Sequence, residues 1–320
     1  MFNGDVVDAI KFALINRSPT GVLFGPFVGE LGFEFSRWCG WVRQLSMDKD
    51  IKHKIFISTR RSRIGLYKDL TLVNPNVKII PFDLETDYTQ ETRPNCYYLD
   101  NALTNTKITS IADKITNKLF KEYSDIKVKI DASDKHCQFY YTYNPLNLDY
   151  NFVISPEIRN QLKNITTGKR VIVISPRHRL DITNRNWQIE KWDQLYEYFS
   201  SLQNVIIFLA GTRGSSYIPT KKYNNIKILD DITPPENSME ITIEVIRSAC
   251  VTIGQQSAIP ILSNLLKTPL ITWGHTPNRL MKEDNIFRNK VEYIMSHDSK
   301  YYSDVTPDII INKLKKYLTK

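Results

Sequence analysis

Short apolar runs alternate with longer amphipathic stretches along the 320-residue chain. Val22-Leu23-Phe24 reads as a strand, Gly25-Pro26 as a turn, and an aromatic-rich helix follows that ends near Gln44. KIFIST (54–59) and VKIIPF (77–82) repeat the strand signal, and Ile64 to Leu72 between them fits a crossover helix. The pattern weakens over 84–150, where Asn, Thr and Tyr are scattered and 108–123 is the one helical stretch. The run FYYTYNPLNLDYNFVISP (139–156) reads as an interdomain connection, because Pro145 and Pro156 break regular structure.

Beyond it the alternation is clean. RVIVISP (170–176) is a buried parallel-type strand, WQIEKWDQLYEYFSSL (187–202) an amphipathic helix and NVIIFLAG (204–211) the next strand, which together make a βαβ unit. IKILDD (226–231), helix 239–250, VTIG (251–254), helix 257–266 and PLITWG (269–274) continue it. The alternation specifies a doubly wound parallel sheet, whose ligands bind at the carboxyl ends of the strands. Length suits two α/β domains of about 150 residues each, placed at 1–150 and 151–320.

Composition changes this picture little. A hydrophobic share of 42% and a charged share of 24% are those of an ordinary globular protein. No stretch approaches the roughly 20 apolar residues of a spanning helix. The start, MFNGDVVDAIKFALINRS, carries acids where a signal peptide would be basic, so a cytoplasmic location is expected. Cys39, Cys96, Cys137 and Cys250 lie far apart without metal spacing and read as buried or half-buried thiols. The net charge of +9 invites a polyanionic partner, but it is uneven: residues 1–150 hold 20 Lys/Arg against 18 Asp/Glu, and residues 151–320 hold 23 against 16. A diphosphate ligand of the second half would account for part of the excess. The sequence sets no oligomeric state.

Several strand-end loops carry candidate chemistry. GPFVGELGFEF (25–35) brings Gly25, Gly29 and Gly32 together with Glu30 and Glu34, four apart and so on one helical face if the helix has begun. Glu30, nearer the strand, suits a general base, with Glu34 next in line; the plainer reading is that both acids complement the helix dipole. Trp38 and Trp41 read as core, or as stacking platforms. SPRHRLDITNRNW (175–187) packs Arg177, His178, Arg179 and Arg185 into one loop, where guanidinium forks suit a diphosphate. GTRGSS (211–216) offers Gly211, Thr212 and Arg213 at the next strand end, or is an ordinary glycine turn. In the fourth loop, Gly254, Gln255, Gln256 and Ser257 join a strand to a helix start and could present donors to an anion, with Trp273 and His275 flanking a base or sugar. No D-x-D lies between apolar strands and the five histidines are dispersed, so neither a metal nor another cofactor is expected.

IGQQSAIPILSNLLKTPLITWG (253–274) and the basic loop 175–187 together resemble the C-terminal domain of heptosyltransferase-like GT-B glycosyltransferases, in which a glycine, small-hydroxyl and helix element binds the donor diphosphate. GPFVGELGFEF resembles the first strand-loop of the same superfamily, where a carboxylate serves as base, and Glu30 matches that position; similar motifs occur in viral glycosyltransferase-like proteins. The resemblance spans 20–60 and 165–275. Gln256 stands where that pattern carries an acid, and the histidine that follows there is absent, so ADP-heptose is not carried over as donor.

The resemblance implies two Rossmann-like domains facing a cleft, the GT-B arrangement, with 1–150 binding an acceptor and 151–320 a nucleotide-sugar donor. It implies metal-independent transfer of a sugar, hexose or pentose, with Glu30 taking the acceptor proton. The acceptor is left between a hydroxymethylated base in phage DNA, suggested by Lys52, Lys54, Arg60, Arg61 and Arg63, and a cell-surface glycan or lipid-linked hydroxyl. A viral chain would act in the host cytoplasm. The alternative of a different class is a sugar-nucleotide or nucleic-acid binding module without catalysis.

Overall fold

All the strands among the described residues pair in parallel with their neighbours, in two separate sheets. The computed structural model describes residues 6–28, 31–83, 102–130, 150–179, 185–211, 215–277, 279–283, 285–298 and 300–319. It divides into two compact units, Met1–Val153 and Ile154–Lys320.

In the first unit α1 (Val6–Ile15) precedes a sheet of β1 (Gly21–Phe24), β2 (Lys54–Arg60), β3 (Val77–Phe82) and β4 (Ile126–Ile130), in the order β3-β2-β1-β4. After β1 the chain is helical from Leu31 to α2 (Gly40–Met47), but Glu34–Cys39 is a π-helical turn that no residue pattern foretells. Ser36 Oγ donates to the Gly32 carbonyl at 2.8 Å, so a side chain competes for an acceptor that a regular turn gives to backbone. Trp38 and Trp41 are buried edge to face, 4.5 Å apart, which settles them as core.

The crossover helix expected over 64–72 is instead a 3-10 segment, Arg61–Leu66, and a short turn, Leu70–Val73. The cause is tertiary. Arg63 turns inward to Glu34 and Asp69 turns inward to Arg43. A regular helix sets positions six apart about 120° round its axis, so it could not aim both inward. The long helix, α3 (Ala102–Glu122), starts earlier than expected and lays Ile111, Ile115 and Leu119 on the sheet. β4, IKVKI, is an edge strand beyond the sequence reading. Most of the expected connection, through residue 149, lies outside the described residues.

The second unit holds β5 (Arg170–Ser175), β6 (Val205–Leu209), β7 (Ile226–Ile228), β8 (Val251–Gln255), β9 (Leu270–Gly274) and β10 (Val291–Met295), ordered β10-β9-β8-β5-β6-β7. The strand order reverses between β5 and β8, which is where such sheets bind ligands. Its longer helices are α4 (Pro156–Thr166), α5 (Ile189–Ser200), α6 (Ser238–Ser248), α7 (Ala258–Leu265) and α8 (Pro307–Leu318). On one face Ile172, Ile174, Ile207, Ile253, Ile271 and Trp273 pack with Trp192, Leu195 and Phe199 of α5 and Ile310 and Leu314 of α8. Burying each such side chain contributes about 1.5–3 kcal/mol, so this face holds the strand ends rigidly. No helix among the described residues is long and apolar enough to cross a membrane.

Candidate functional site

In the second unit Ser175, Arg177, Gly211, Gln255, Gln256, Ser257 and His275 stand at or just beyond the carboxyl ends of β5, β6, β8 and β9. β5 and β8 set the geometry. Ser175 is register partner of Gly254, and a Cβ on Gly254 would lie 2.8 Å from the Ser175 carbonyl oxygen. Gly254 is thus a packing glycine that lets two strand ends close up. The closeness brings Ser175 Oγ within 3.4 Å of Ser257 Oγ. Ser257 is the N-cap of α7, and its hydroxyl makes no capping bond. The first-turn amides of any helix lack intrahelical acceptors and carry the positive end of its dipole. Pro260, in that first turn, costs the helix nothing.

Two residues beyond Ser175, Arg177 is 5% exposed and Arg179 8%. These are not charges of a solvated loop. The backbone of their segment is tied to the loop after β6: Tyr217 N donates to the Pro176 carbonyl at 2.7 Å, His178 N to the Ser215 carbonyl at 2.9 Å, and Arg177 bridges Ser216. The His178 ring stands edge-on to Tyr217, a structural placement. Gly211 has φ +145°, and a Cβ there would fall 2.1 Å from Ser216 Oγ, so the turn admits only glycine. Thr212 and Arg213 lie outside the described residues. Tyr217 also donates to Asp193 at 2.7 Å, and burial followed by that bond raises its hydroxyl to a pKa of about 12.

The fourth loop divides. Gln256 N donates to the Trp273 carbonyl, and Gln256 Oε1 accepts from Thr276 Oγ1 at 3.4 Å, which keeps it at the strand ends beside Ser257. Gln255 is fully buried and its Nε2 points to the Arg185 carbonyl at 3.4 Å, so its side chain holds the basic loop instead of meeting a ligand. Trp273 is also corrected. Strand alternation turns its ring into the core, with centroids 5.0 Å from Trp187 and 5.7 Å from Trp192, so it cannot flank a nucleotide. His275 leans on Tyr302 at 4.8 Å, with Nδ1 3.3 Å from the Ser296 carbonyl oxygen. Two residues beyond the sequence reading take part: Ser175, and Asn186, whose side chain grips the backbone of Arg179. A short polar residue next to a core tryptophan was the available signal for Asn186.

In the first unit Glu30 lies outside the described residues. Glu34 is fully buried, with one oxygen 2.5 Å from Arg63 Nη1 and the other accepting from Tyr67 Oη at 3.0 Å and Thr59 Oγ1 at 3.3 Å. Burial, then the Glu34 carboxylate, drives the Tyr67 hydroxyl well above its ordinary value. Glu34 is committed to an interior ion pair, the wrong setting for a base that must reach solvent-borne substrate. The basic cluster of this unit is engaged as well. Lys54 pairs with Asp125 at 2.6 Å, Arg61 with Asp83 at 2.9 Å and Arg63 with Glu34, while Arg60 donates to the Val28 carbonyl and Lys52 to that of Lys49. Among the described residues no three His, Cys, Asp or Glu gather as a metal site.

No protein-family model and no curated protein matches the chain. Solved structures do. The ADP-heptose LPS heptosyltransferase II of E. coli aligns with a TM-score of 0.54 at 11% identity, over 93% of this chain and 98% of that one. A family 9 glycosyl transferase from Veillonella parvula DSM 2008 aligns with a TM-score of 0.53 at 11% identity, over 93% and 97%. The chain has their fold. Its two α/β units, each with a parallel sheet, match the fold of these two transferase structures.

Proposed function

We propose that the protein is a GT-B glycosyltransferase whose second unit, Ile154–Lys320, holds a nucleotide-diphosphate sugar at the carboxyl ends of β5 and β8. The observation that carries this reading is that Arg177 and Arg179, both buried, directly follow β5, whose last residue Ser175 meets Ser257 at the start of α7. A departing nucleoside diphosphate needs its charge neutralised at fixed positions. Desolvated guanidinium groups and helix-start amides supply that neutralisation, and the donor set supports transfer without a metal ion. Gln256 and Arg185 border the same edge, with Gly211, Thr212 and Arg213 in the next loop.

The acceptor side is assigned to the first unit, with Glu30 as the base that takes the acceptor proton. Lys54, Arg61 and Arg63 of its basic cluster are paired with the unit's own carboxylates, which weighs against DNA and favours a glycan or lipid-linked hydroxyl as the acceptor class. An E. coli neighbour of the same fold bears the name of a lipopolysaccharide heptosyltransferase, which favours the same side.

A thermal-shift screen of UDP-, GDP- and ADP-sugars tests the donor half, since a ligand at 100 times its Kd adds about 2.7 kcal/mol of stability. One nucleotide series should raise Tm; a flat response across all three rejects the reading. Glu30→Ala should then abolish transfer and keep the shift. Transfer that survives this substitution moves the base elsewhere.

A further inference from the structure

Asn186 is buried at the foot of the basic loop, and both ends of its amide are used. Oδ1 accepts from Arg179 N at 2.9 Å and Nδ2 donates to the Arg179 carbonyl at 2.6 Å. Asparagine is suited to this, having donor and acceptor on one planar group. The residue after it is immobile: Trp187 is buried, donates Nε1 to the Val305 carbonyl at 3.0 Å and packs among Trp192 and Trp273. One residue earlier, the Arg185 carbonyl meets Gln255 Nε2 at 3.4 Å, which ties the segment to the end of β8. These contacts close a circuit. It runs from Ser175 across to Ser257, back along Gln256 to Gln255, over to Arg185 and Asn186, across to Arg179, and through Arg177 to Ser175.

We propose that Asn186 and Gln255 are positioning residues for the diphosphate subsite. Neither touches the ligand. Asn186 fixes where Arg179 stands relative to the tryptophan core, and Gln255 fixes where Arg185 stands relative to the Ser257 turn. An anion bound by several converging donors loses affinity when any of them is free to wander, because the ordering cost then falls on the binding step. The inference rests on the donor reading above and adds to it which residues hold the subsite in shape.

The test titrates ADP, GDP and UDP individually into the unsubstituted protein and into Asn186→Ala, Asn186→Asp, Gln255→Met and Arg177→Ala, with the thermal midpoint of each variant recorded. For the nucleoside diphosphate that binds, Asn186→Ala and Gln255→Met should each weaken affinity roughly tenfold, the cost of one misdirected charge-assisted bond. Asn186→Ala should also lower the midpoint, because it leaves the buried Arg179 backbone without two partners, so affinities are compared at temperatures where every variant is folded. Asn186→Asp, which keeps the acceptor for Arg179 N and loses the donor, should fall between Asn186→Ala and the unsubstituted protein. A purely structural role would lower the midpoint and leave affinity alone. Unchanged affinity in Asn186→Ala and Gln255→Met, with loss in Arg177→Ala, overturns the positioning proposal while the donor reading stands. If Asn186→Ala does not fold, Asn186→Asp and Gln255→Met decide by the same criterion. Failure of the unsubstituted protein to bind any of the three, or full affinity in Arg177→Ala, overturns the donor reading and this inference with it.

Discussion

The two units use charge in opposite ways. In the first, Arg43 meets both oxygens of Asp69 at 2.6 and 2.8 Å and the Leu66 carbonyl at 2.7 Å, while Arg63 meets Glu34; each guanidinium has a carboxylate within its own unit. In the second, Arg177 and Arg179 are buried at a strand end beside two hydroxyls and a helix start. The first arrangement closes on itself and does structural work. The second places buried guanidinium-bearing residues beside two hydroxyls and a helix start at one strand end, donor types that suit an anion. Identical residue types therefore stabilise the first unit and, under the proposed function, bind a ligand in the second, and their neighbours decide which.

Asp69→Ala should produce the largest effect. It strands Arg43, and removing one member of a buried pair costs about 3–5 kcal/mol. Urea denaturation should show this loss, with nucleoside diphosphate affinity retained at temperatures where the variant is folded. A loss under about 1 kcal/mol would erase the contrast. The mirror experiment is Arg177→Ala: affinity for the diphosphate should drop about ten- to a hundredfold, with a smaller stability change than Asp69→Ala. A variant that unfolds without losing affinity would place Arg177 with the structural charges.

Gly254→Ala sharpens the comparison by disturbing site and packing together. The added methyl, 2.8 Å from the Ser175 carbonyl oxygen, pushes β5 from β8 and should cost about 1–3 kcal/mol. It should also weaken anion binding, since Ser175 and Ser257 separate; undiminished binding would show that their approach does not matter.

Tyr217→Phe should have the smallest effect, about 0.5–1.5 kcal/mol for one hydrogen bond. Its pH dependence is specific. The Tyr217 hydroxyl, ordinarily near 10.0, stands at about 12 in the fold, chiefly through burial and then the bond to Asp193. A raised folded value favours the protonated form, so its contribution is complete below pH 10 and is lost as pH rises toward 12. Tm measured across that window should fall less steeply for Tyr217→Phe. Tyr223, raised likewise to about 12 by burial and Glu197, should keep part of the slope. Parallel curves would remove the buried-hydroxyl argument.

Much of this architecture was legible before any coordinates. The continuous apolar runs RVIVIS and VIIFL announce strands covered on both faces, and both appear where expected, as do the α5 and α7 helices between strands. The sequence reading also leaves out α1, α4 and α8, and the other elements beyond it carry a weak or tertiary signal. β4 alternates lysine with isoleucine at a sheet edge, β10 holds a glutamate, and the 61–73 crossover is broken by two ion pairs formed with residues far away in sequence. At the candidate site, the strand-end positions of Arg177 and Ser257 could be read from pattern. The direction of each side chain could not. Trp273 and Gln255 sit on strands whose alternation places them inward, and Glu34 was assigned to a helical face before the π turn and Arg63 drew it inside. Asn186 carries no motif beyond its place next to a core tryptophan, and its grip on the Arg179 backbone is visible only in the fold.

The most direct test is a crystal structure of the protein with the nucleoside diphosphate that raises its Tm most. The account predicts diphosphate oxygens within hydrogen-bond reach of the Arg177 guanidinium and of the Ser257 end of α7. Density for the diphosphate at the amino ends of the second sheet, or away from both residues, would contradict it.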